Sequence, residues 1–547
     1  MAATFLPAEI APTTTSRAIG ALARWPLAMV MAVQALVSVA LLHNTAFQDE
    51  ALYLYAGRTI VGHWLGGPAP LDHYAKYFSG YPLIYPVIGG SLDRIGGLGL
   101  ARLFSLGCML GVTAIVYHVT ARLFQRSAAL FASATYAFSG VVLFVGRLAT
   151  FDALCLLFIA LGTLVAINGA SSERPFLVLL LGPIFVLGVL TKYAGLLFAP
   201  PVLGLMVIYS WKTGGWKRVV ARTLAAVFSL AVAMGVAYFA VDHAAFHAIK
   251  GSTTNRSISN PGNRLHLFTH GLGLVGPLYA MAIFGGIVLF SQRRLRFLGL
   301  GLLGTSLLTP AYHIYMSEPV SFEKHLAYGL FFAAPLAGVS LDWLSVDARH
   351  ALQTRRPQWV AGIAVVAVIA ALGLQQAHSL YGEWANTSGL GYSLHTQLRD
   401  GTGRILAEDI EVARFDARDV TQEWQWNSFY YPYYFDESHV EYFGRDALIK
   451  GVQTGYYDLV ELSFVYFPQQ AFFLAEKMAE SRNYDLVAVV PFKNTYGRGH
   501  YFLWRTALVP GQGNFTDPAQ AETPAWFKAC AGPVCQPTSS GWPESHR

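Results

Sequence analysis

Between Trp25 and His43 the sequence reads WPLAMVMAVQALVSVALLH, and at residues 47–53 it turns to FQDEALY. The first stretch has the length and apolarity of a helix that crosses roughly 30 Å of hydrocarbon. The second sets two carboxylates, Asp49 and Glu50, a few residues past the end of that helix. About ten more apolar segments follow, so the pair stands where a bilayer gives way to water. An ionisable group next to an apolar run is costly there, and by default it is a functional candidate.

Composition supports the same class. Of 547 residues 54% are hydrophobic and 14% aromatic. Only 13% are charged, against roughly 25% in an ordinary soluble domain, and the mean hydropathy is +0.41. No single soluble core absorbs so many apolar runs, so the chain reads as an integral membrane protein. The net charge of +6 comes from basic residues dispersed among short loops, where they act as topology signals; no nucleic-acid partner is expected. Residues before Trp25 carry no clear cleavage pattern, and the first apolar run reads as a retained anchor. Of four cysteines, Cys108 and Cys155 fall in apolar runs and read as core, whereas Cys530 and Cys535 flank a short Gly-Pro turn and could pair if the tail lies outside the cytoplasm.

Hydropathy predicts about eleven spans: 25–43, 99–121, 128–146, 152–169, 175–190, 194–210, 223–241, 272–290, 297–312, 326–344 and 358–377. The fifth and sixth, coupled through Thr191-Lys192-Tyr193, read either as two crossings or as a tight hairpin. This count gathers Arg17, Arg24, Arg122, Arg126, Arg174, Lys212, Arg222, Arg293 and Arg355 on one side, cytoplasmic by the positive-inside rule. The first loop on the other side, 44–98, predicts a helix over Asp49 to Leu65. It also holds a short apolar piece from Tyr81, consistent with helices lying along the membrane surface. Residues 1–24 form a cytoplasmic N-terminus, 25–378 a membrane module, 379–509 a soluble α/β domain and 510–547 a loose tail. Strands are expected at 404–408, 484–490 and 500–504, and a helix at 468–481. The aromatic run from Trp424 to Phe435 reads either as packed core or as a carbohydrate-stacking platform.

Four groups on the non-cytoplasmic side carry chemistry: Asp49 with Glu50, Lys76, Asp152 and Lys192. Carboxylates accept or orient the proton of an incoming hydroxyl, and lysines neutralise a leaving phosphate at a lipid surface. Each also has a plainer reading: Asp49 as a helix cap, Arg147 with Asp152 as a topology pair, Lys192 as a snorkelling side chain. Adjacent acids on a helix diverge by roughly 100°, so Asp49 and Glu50 need not share a role. The histidines, among them His266, His270, His313 and His325, offer no compact ligand set apart from His243 and His247 at i, i+4. No cofactor is assigned, and a divalent metal stays open. No glycine-rich nucleotide cradle occurs, which disfavours a sugar-nucleotide donor.

The acidic pair in the first loop, Lys76 before Tyr81-Pro82-Leu83-Ile84-Tyr85-Pro86, Asp152 opening the fourth span, Leu190-Thr191-Lys192, and Glu323-Lys324-His325 before Phe331 to Pro335 together resemble the GT-C superfamily. They are most similar to its protein O-mannosyltransferase and aminoarabinose transferase branch, over about residues 25 to 345. The resemblance implies a polytopic α-helical membrane enzyme with an extracytoplasmic C-terminal domain. It further implies that the enzyme takes a sugar from a polyprenyl-phosphate carrier and transfers it with inversion. Asp49 would be the catalytic carboxylate, Glu50 its neighbour and Asp152 a second acid of the same cavity. Lys76, Lys192, Arg58 and Lys324 would serve the donor phosphate, although Arg58 follows Asp49 by nine residues, roughly half a turn around an ideal helix. Membrane lipids surround such an enzyme, a bacterial inner membrane is the expected site, and the acceptor stays open among lipid, glycan and protein. A lipid-linked-sugar transporter and a non-enzymatic glycan-binding protein are the rival readings.

Overall fold

In the computed structural model the described residues are 25–516, apart from Tyr77, 242–261, 353–359, 399–402, 508 and 510. His243, His247, Cys530 and Cys535 lie outside them.

The described part of the membrane half is built of helices and their connections. It begins with α1 (Trp25–Leu41), followed by α2 (Gln48–Trp64) and α3 (Tyr85–Leu123). Then come α4 (Arg126–Ala137), α5 (Gly140–Gly146), α6 (Phe151–Ser171), α7 (Leu181–Thr191) and α8 (Ala199–Ala240). It closes with α9 (Arg264–Phe290), α10 (Arg296–Ser306), α11 (Leu308–Met316), α12 (Phe322–Leu352) and α13 (Val360–Tyr381). Among the described residues seven segments are long and apolar enough to cross a membrane, or eight with α4 and α5, bent by 67°, taken as one. The shorter apolar helices 26–41 and 176–191 add to these, and α8 breaks at Gly215. The expected apolar segments fall on helices, with 194–210 and 223–241 sharing α8 and 128–146 divided between α4 and α5, and the chain is a multi-pass membrane protein. Thr191-Lys192-Tyr193 joins α7 to a 3₁₀ turn, Tyr193–Phe198, that runs directly into α8.

Helix breaks follow glycines. Gly97 takes φ +68 inside α3, dividing it into a short piece over 85–95 and a long apolar run. The short piece packs on α2 with no room for a side chain between them: a Cβ on Gly57 would lie 1.7 Å from the Pro86 carbonyl oxygen. The core of the bundle is lined by α3, α6 and α12, with Met109, Val112, Cys155, Phe331 and Phe332 buried.

Beyond α13 comes α14 (Ser388–Gln397) and a mixed α/β domain. In chain order this domain has β1 (Arg404–Ala407), α15 (Ile410–Asp416), β2 (Trp426–Ser428), β3 (Tyr433–Phe435) and β4 (Glu441–Phe443). After these come α16 (Gly444–Thr454), β5 (Tyr457–Leu462), α17 (Pro468–Ser481), β6 (Tyr484–Asn494) and β7 (Gly497–Thr506). The main sheet has the order β2-β1-β5-β7-β6. β1 is parallel to β2 and β5, placing Leu406 opposite Val460, and β7 runs antiparallel to β5 and β6. Leu406, Val460, Tyr484 and Trp504 pack on one face against α16 and α17. Ile405, Leu459 and Leu503 pack on the other against α14 and α15. The expected strands and the 468–481 helix are present. The sequence reading passed over β2 to β5, where three of the four strands have only three residues.

The aromatic run divides. Trp426, Phe429 and Tyr434 are buried, whereas Trp424, Tyr430, Tyr431 and Phe435 are exposed.

Candidate active site

Residues 42–47 descend from α1 into α2 through a connection stitched to the end of α13. Asn44 donates to the carbonyls of Tyr381 and Trp384 at 2.9 and 3.1 Å, and the Trp384 indole donates to Thr45 O at 3.0 Å. This fixes where α2 starts. Its first turn then holds both acids.

The two acids face different partners, as their angular separation requires. Glu50 is fully buried. Its carboxylate accepts Arg102 Nε at 2.8 Å and Nη2 at 2.6 Å. It also takes the backbone N–H groups of Phe47 at 2.8 Å and Ala149 at 2.6 Å. Two further N–H groups of Arg102 donate to the carbonyls of Asn44 and Thr45, at 2.8 and 2.9 Å. A single buried ion pair thus ties α2, α3, the 42–47 connection and the α5–α6 loop together.

Asp49 is more open, with 30% of its side chain exposed, and it pairs with the ammonium of Lys324 in the first turn of α12. That ammonium also lies 5.3 Å from the Phe47 ring centroid. One turn on from Asp49, Tyr53 is buried, and burial together with the Asp49 and Asp152 charges pushes its phenol well above the ordinary range.

Asp152 opens α6, buried beside the same end of α12. Lys192 donates to its Oδ1 at 2.6 Å and Thr150 to its Oδ2 at 3.1 Å. Tyr328 lies 3.3 Å from Oδ1 and His325 4.0 Å. His313 and His325 meet at 2.7 Å behind them. The ion partner of Asp152 is thus Lys192; Arg147, the alternative on the sequence, directs its Nε to Leu42 O at 3.4 Å. The loop carrying Lys76 docks on this group through its backbone. Tyr81 N donates to Leu190 O at 2.6 Å and Tyr193 N to Ser79 O at 2.8 Å. Gly80 faces Thr191 O so closely that a Cβ would lie 2.0 Å from it.

Among the expected site residues, the structure therefore gathers Asp49 with Lys324, and Asp152 with Lys192, around the start of α12. Glu50 forms a separate buried lock with Arg102. Arg58 turns to the far side of α2, where it meets Asp93 at 2.8 Å, and the Lys76 side chain is not among those described. Arg102, Tyr53 and Tyr328 were not singled out from the sequence. Arg102 left a signal, being a lone charge in the apolar run of α3; the tyrosines left none. Among the described residues no three His, Cys, Asp or Glu side chains converge as a metal-ligand set.

The C-terminal domain reaches into the same region. Helix α15 packs on α2: Gln48 lies 3.3 Å from both Glu411 and the Tyr430 hydroxyl, and Arg414 donates to Asp72 at 2.8 Å while covering the Tyr55 ring at 4.3 Å. Glu423 accepts Leu71 N, Asp72 N and the Tyr74 hydroxyl at 3.0, 3.2 and 2.8 Å. Burial raises the Glu411 carboxyl above its usual range, opposed by the Gln48 contact.

Residues 97–239 match the family described as dolichyl-phosphate-mannose-protein mannosyltransferase. No curated protein is a sequence match to the chain. Among solved structures, ArnT from Cupriavidus metallidurans in the apo state is similar over 91% of this chain and 100% of its own, at 16% identity and a TM-score of 0.59. The same protein bound to undecaprenyl phosphate is similar over 90% and 99%, at 14% identity and 0.58. The Archaeoglobus fulgidus oligosaccharyltransferase in the apo form is similar over 83% and 71%, at 13% identity and 0.54. The chain thus shares its fold with ArnT, and over residues 97–239 it matches the mannosyltransferase family, both in line with the sequence resemblance.

Proposed function

We propose, from this GT-C fold, that the protein is a membrane glycosyltransferase that moves a sugar from a polyprenyl-phosphate carrier to an acceptor on the extracytoplasmic face, with inversion. The observation that carries the reading is the half-open Asp49, set against Lys324 at the mouth of the bundle while its neighbour Glu50 is locked away by Arg102. One acid is available for chemistry and the other holds the helix that presents it.

In the proposed reaction the donor phosphate is drawn to the ammonium of Lys324, with Lys192 and the Lys76 loop on the Asp152 side of the same mouth. An acceptor hydroxyl attacks the anomeric carbon. The new bond is from acceptor oxygen to that carbon, the bond that breaks joins the carbon to the phosphate oxygen, and the electron pair leaves with polyprenyl phosphate. Asp49 receives the hydroxyl proton. Base assistance of this kind contributes about 10² to 10⁴-fold, and placement with charge neutralisation contributes the rest. Asp152, buried and bonded to Lys192 and Thr150, acts as a positioning group that sets Lys192.

The test is transfer of radiolabelled sugar from a panel of polyprenyl-phosphate sugars into membrane extracts, wild type against Asp49→Asn. Label that appears only with the wild type identifies the donor and the acceptor fraction. Equal labelling by a folded Asp49→Asn enzyme removes the assignment. No transfer from any donor, by a folded wild type, moves the reading to transport or glycan binding.

A further inference from the structure

β3 and β4 form a two-stranded antiparallel ribbon in which Tyr433 pairs with Phe443 and Phe435 with Glu441. Side chains alternate along a strand, so these four residues share one face, and Tyr434 and Tyr442 share the other. The second face is used structurally: Tyr434 is buried against Tyr456 and Tyr442, with ring centroids 5.0 and 5.8 Å away. The first face is largely open among the described residues, with Tyr433 half-buried. Phe443 is 64% exposed and Phe435 44%, and beside them Tyr431 is 76% exposed. With Tyr430 they line an open cleft of about 570 Å³. Contiguous exposed aromatic rings on one rigid face mark an interaction site.

One wall of the cleft reaches the first turn of α2. Tyr430, one of its walls, lies 3.3 Å from the amide of Gln48, the residue before Asp49. Its lining contains the carboxylate of Glu441 and no lysine or arginine, so a phosphorylated or acidic headgroup finds no countercharge there. The C–H faces of sugar rings fit the electron-rich faces of the aromatic rings, and the phenol hydroxyls with Glu441 supply hydrogen-bond partners for sugar hydroxyls. The size falls within the roughly 300–1,000 Å³ of small-ligand sites. We propose that this cleft binds the neutral oligosaccharide part of the acceptor and delivers its hydroxyl towards Asp49. The assignment of that ligand as the acceptor rests on the glycosyltransferase reading above; the binding itself does not.

The test uses the full chain in detergent without donor, and saturation-transfer NMR with mannotetraose, chitotetraose and cellotetraose. The wild type is expected to bind at least one, through ring C–H protons. Tyr431→Ala with Phe443→Ala is expected to weaken that binding about tenfold or more, Tyr431→Ala alone by less, and Tyr431→Trp not at all. Both alanine sites are solvent-exposed, and an unchanged thermal midpoint confirms folding; should the double variant unfold, the single one decides. Asp49→Asn should bind as the wild type does, so a failed transfer reaction and a failed glycan site are read apart. Absence of binding to all three glycans overturns the proposal, as does equal binding by the alanine variants. Capture of neutral phosphatidylcholine vesicles or an apolar peptide by the cleft, without any glycan binding, overturns it in favour of that partner.

Discussion

Asp49, two residues into α2, and Lys324, 275 residues later in the first turn of α12, meet as an ion pair in which the lysine is nearly buried and the aspartate half-open. The pair joins the first loop of the chain to a late membrane helix, and whatever binds between them must compete with it. Removing either charge therefore acts differently on the two substrates. Asp49→Asn should lower kcat by about 10² to 10⁴-fold with little change in donor KM. Lys324→Met should raise donor KM as well, because the phosphate loses its countercharge. Initial rates against donor concentration separate the two; a donor KM unmoved by Lys324→Met rules out phosphate contact at that lysine.

The Glu50–Arg102 lock is buried on both sides, with side-chain exposures of 0 and 5%. Breaking such a pair leaves an uncompensated charge and costs about 3–5 kcal/mol. Arg102→Met should therefore lower the thermal midpoint sharply and reduce yield, and Arg102→Met with Glu50→Gln should recover part of the loss. A midpoint within a degree of wild type for Arg102→Met contradicts the lock.

At Gly57, α2 lies against the short arm of α3 with no room for a side chain. Gly57→Ala forces the Pro86 carbonyl, 1.7 Å from the new Cβ, to move, and the adjustment must pass along α2 to Asp49. Transfer should fall at least about tenfold while the C-terminal domain stays folded. Activity assays beside circular dichroism read the two effects.

Glu461, buried opposite Ala407 in the parallel pair of β5 with β1, has its carboxyl pushed up to about 8 by burial and by the neighbouring Glu408. The folded domain holds this proton where the unfolded chain, with an ordinary carboxyl near 4.5, has released it. Stability is therefore complete at about pH 4.5 and falls as pH rises towards 8. Glu461→Gln keeps an acceptor for the N–H groups of Glu408 and Asp409, at 3.0 and 3.2 Å in the parent, and should flatten that slope. Amide exchange in residues 457–462 at pH 5 and pH 8, parent against variant, is the measurement.

Much of the bundle was legible because a bilayer imposes one simple rule, a long apolar run per crossing, and Trp25 to His43 obeys it in plain view. The acids were legible for the same reason: Asp49, Glu50 and Asp152 interrupt or border such runs. Their pairings were not. Lys324 and Arg102 reach them across 275 and 52 residues of sequence, and spacing says nothing of contacts that the packing of α2, α3 and α12 creates. The three-residue strands β2, β3 and β4 were missed because periodicity needs more residues than they have. The aromatic run could not be divided from the sequence, since only the pairing of β3 with β4 shows that Tyr434 turns inward and Tyr433 and Phe435 to the other face.

Arg414 grips Asp72 from 342 positions further along, and Glu423 holds Leu71, Asp72 and Tyr74 across a similar gap. The loop bearing Asp49 thus takes its final shape from residues that leave the ribosome long after every membrane helix. A nascent chain halted at α13 would own the whole bundle and an unclasped first loop. Under the proposed transferase activity, order of synthesis becomes a safeguard: the loop that carries Asp49 is clasped only once the last domain has been made.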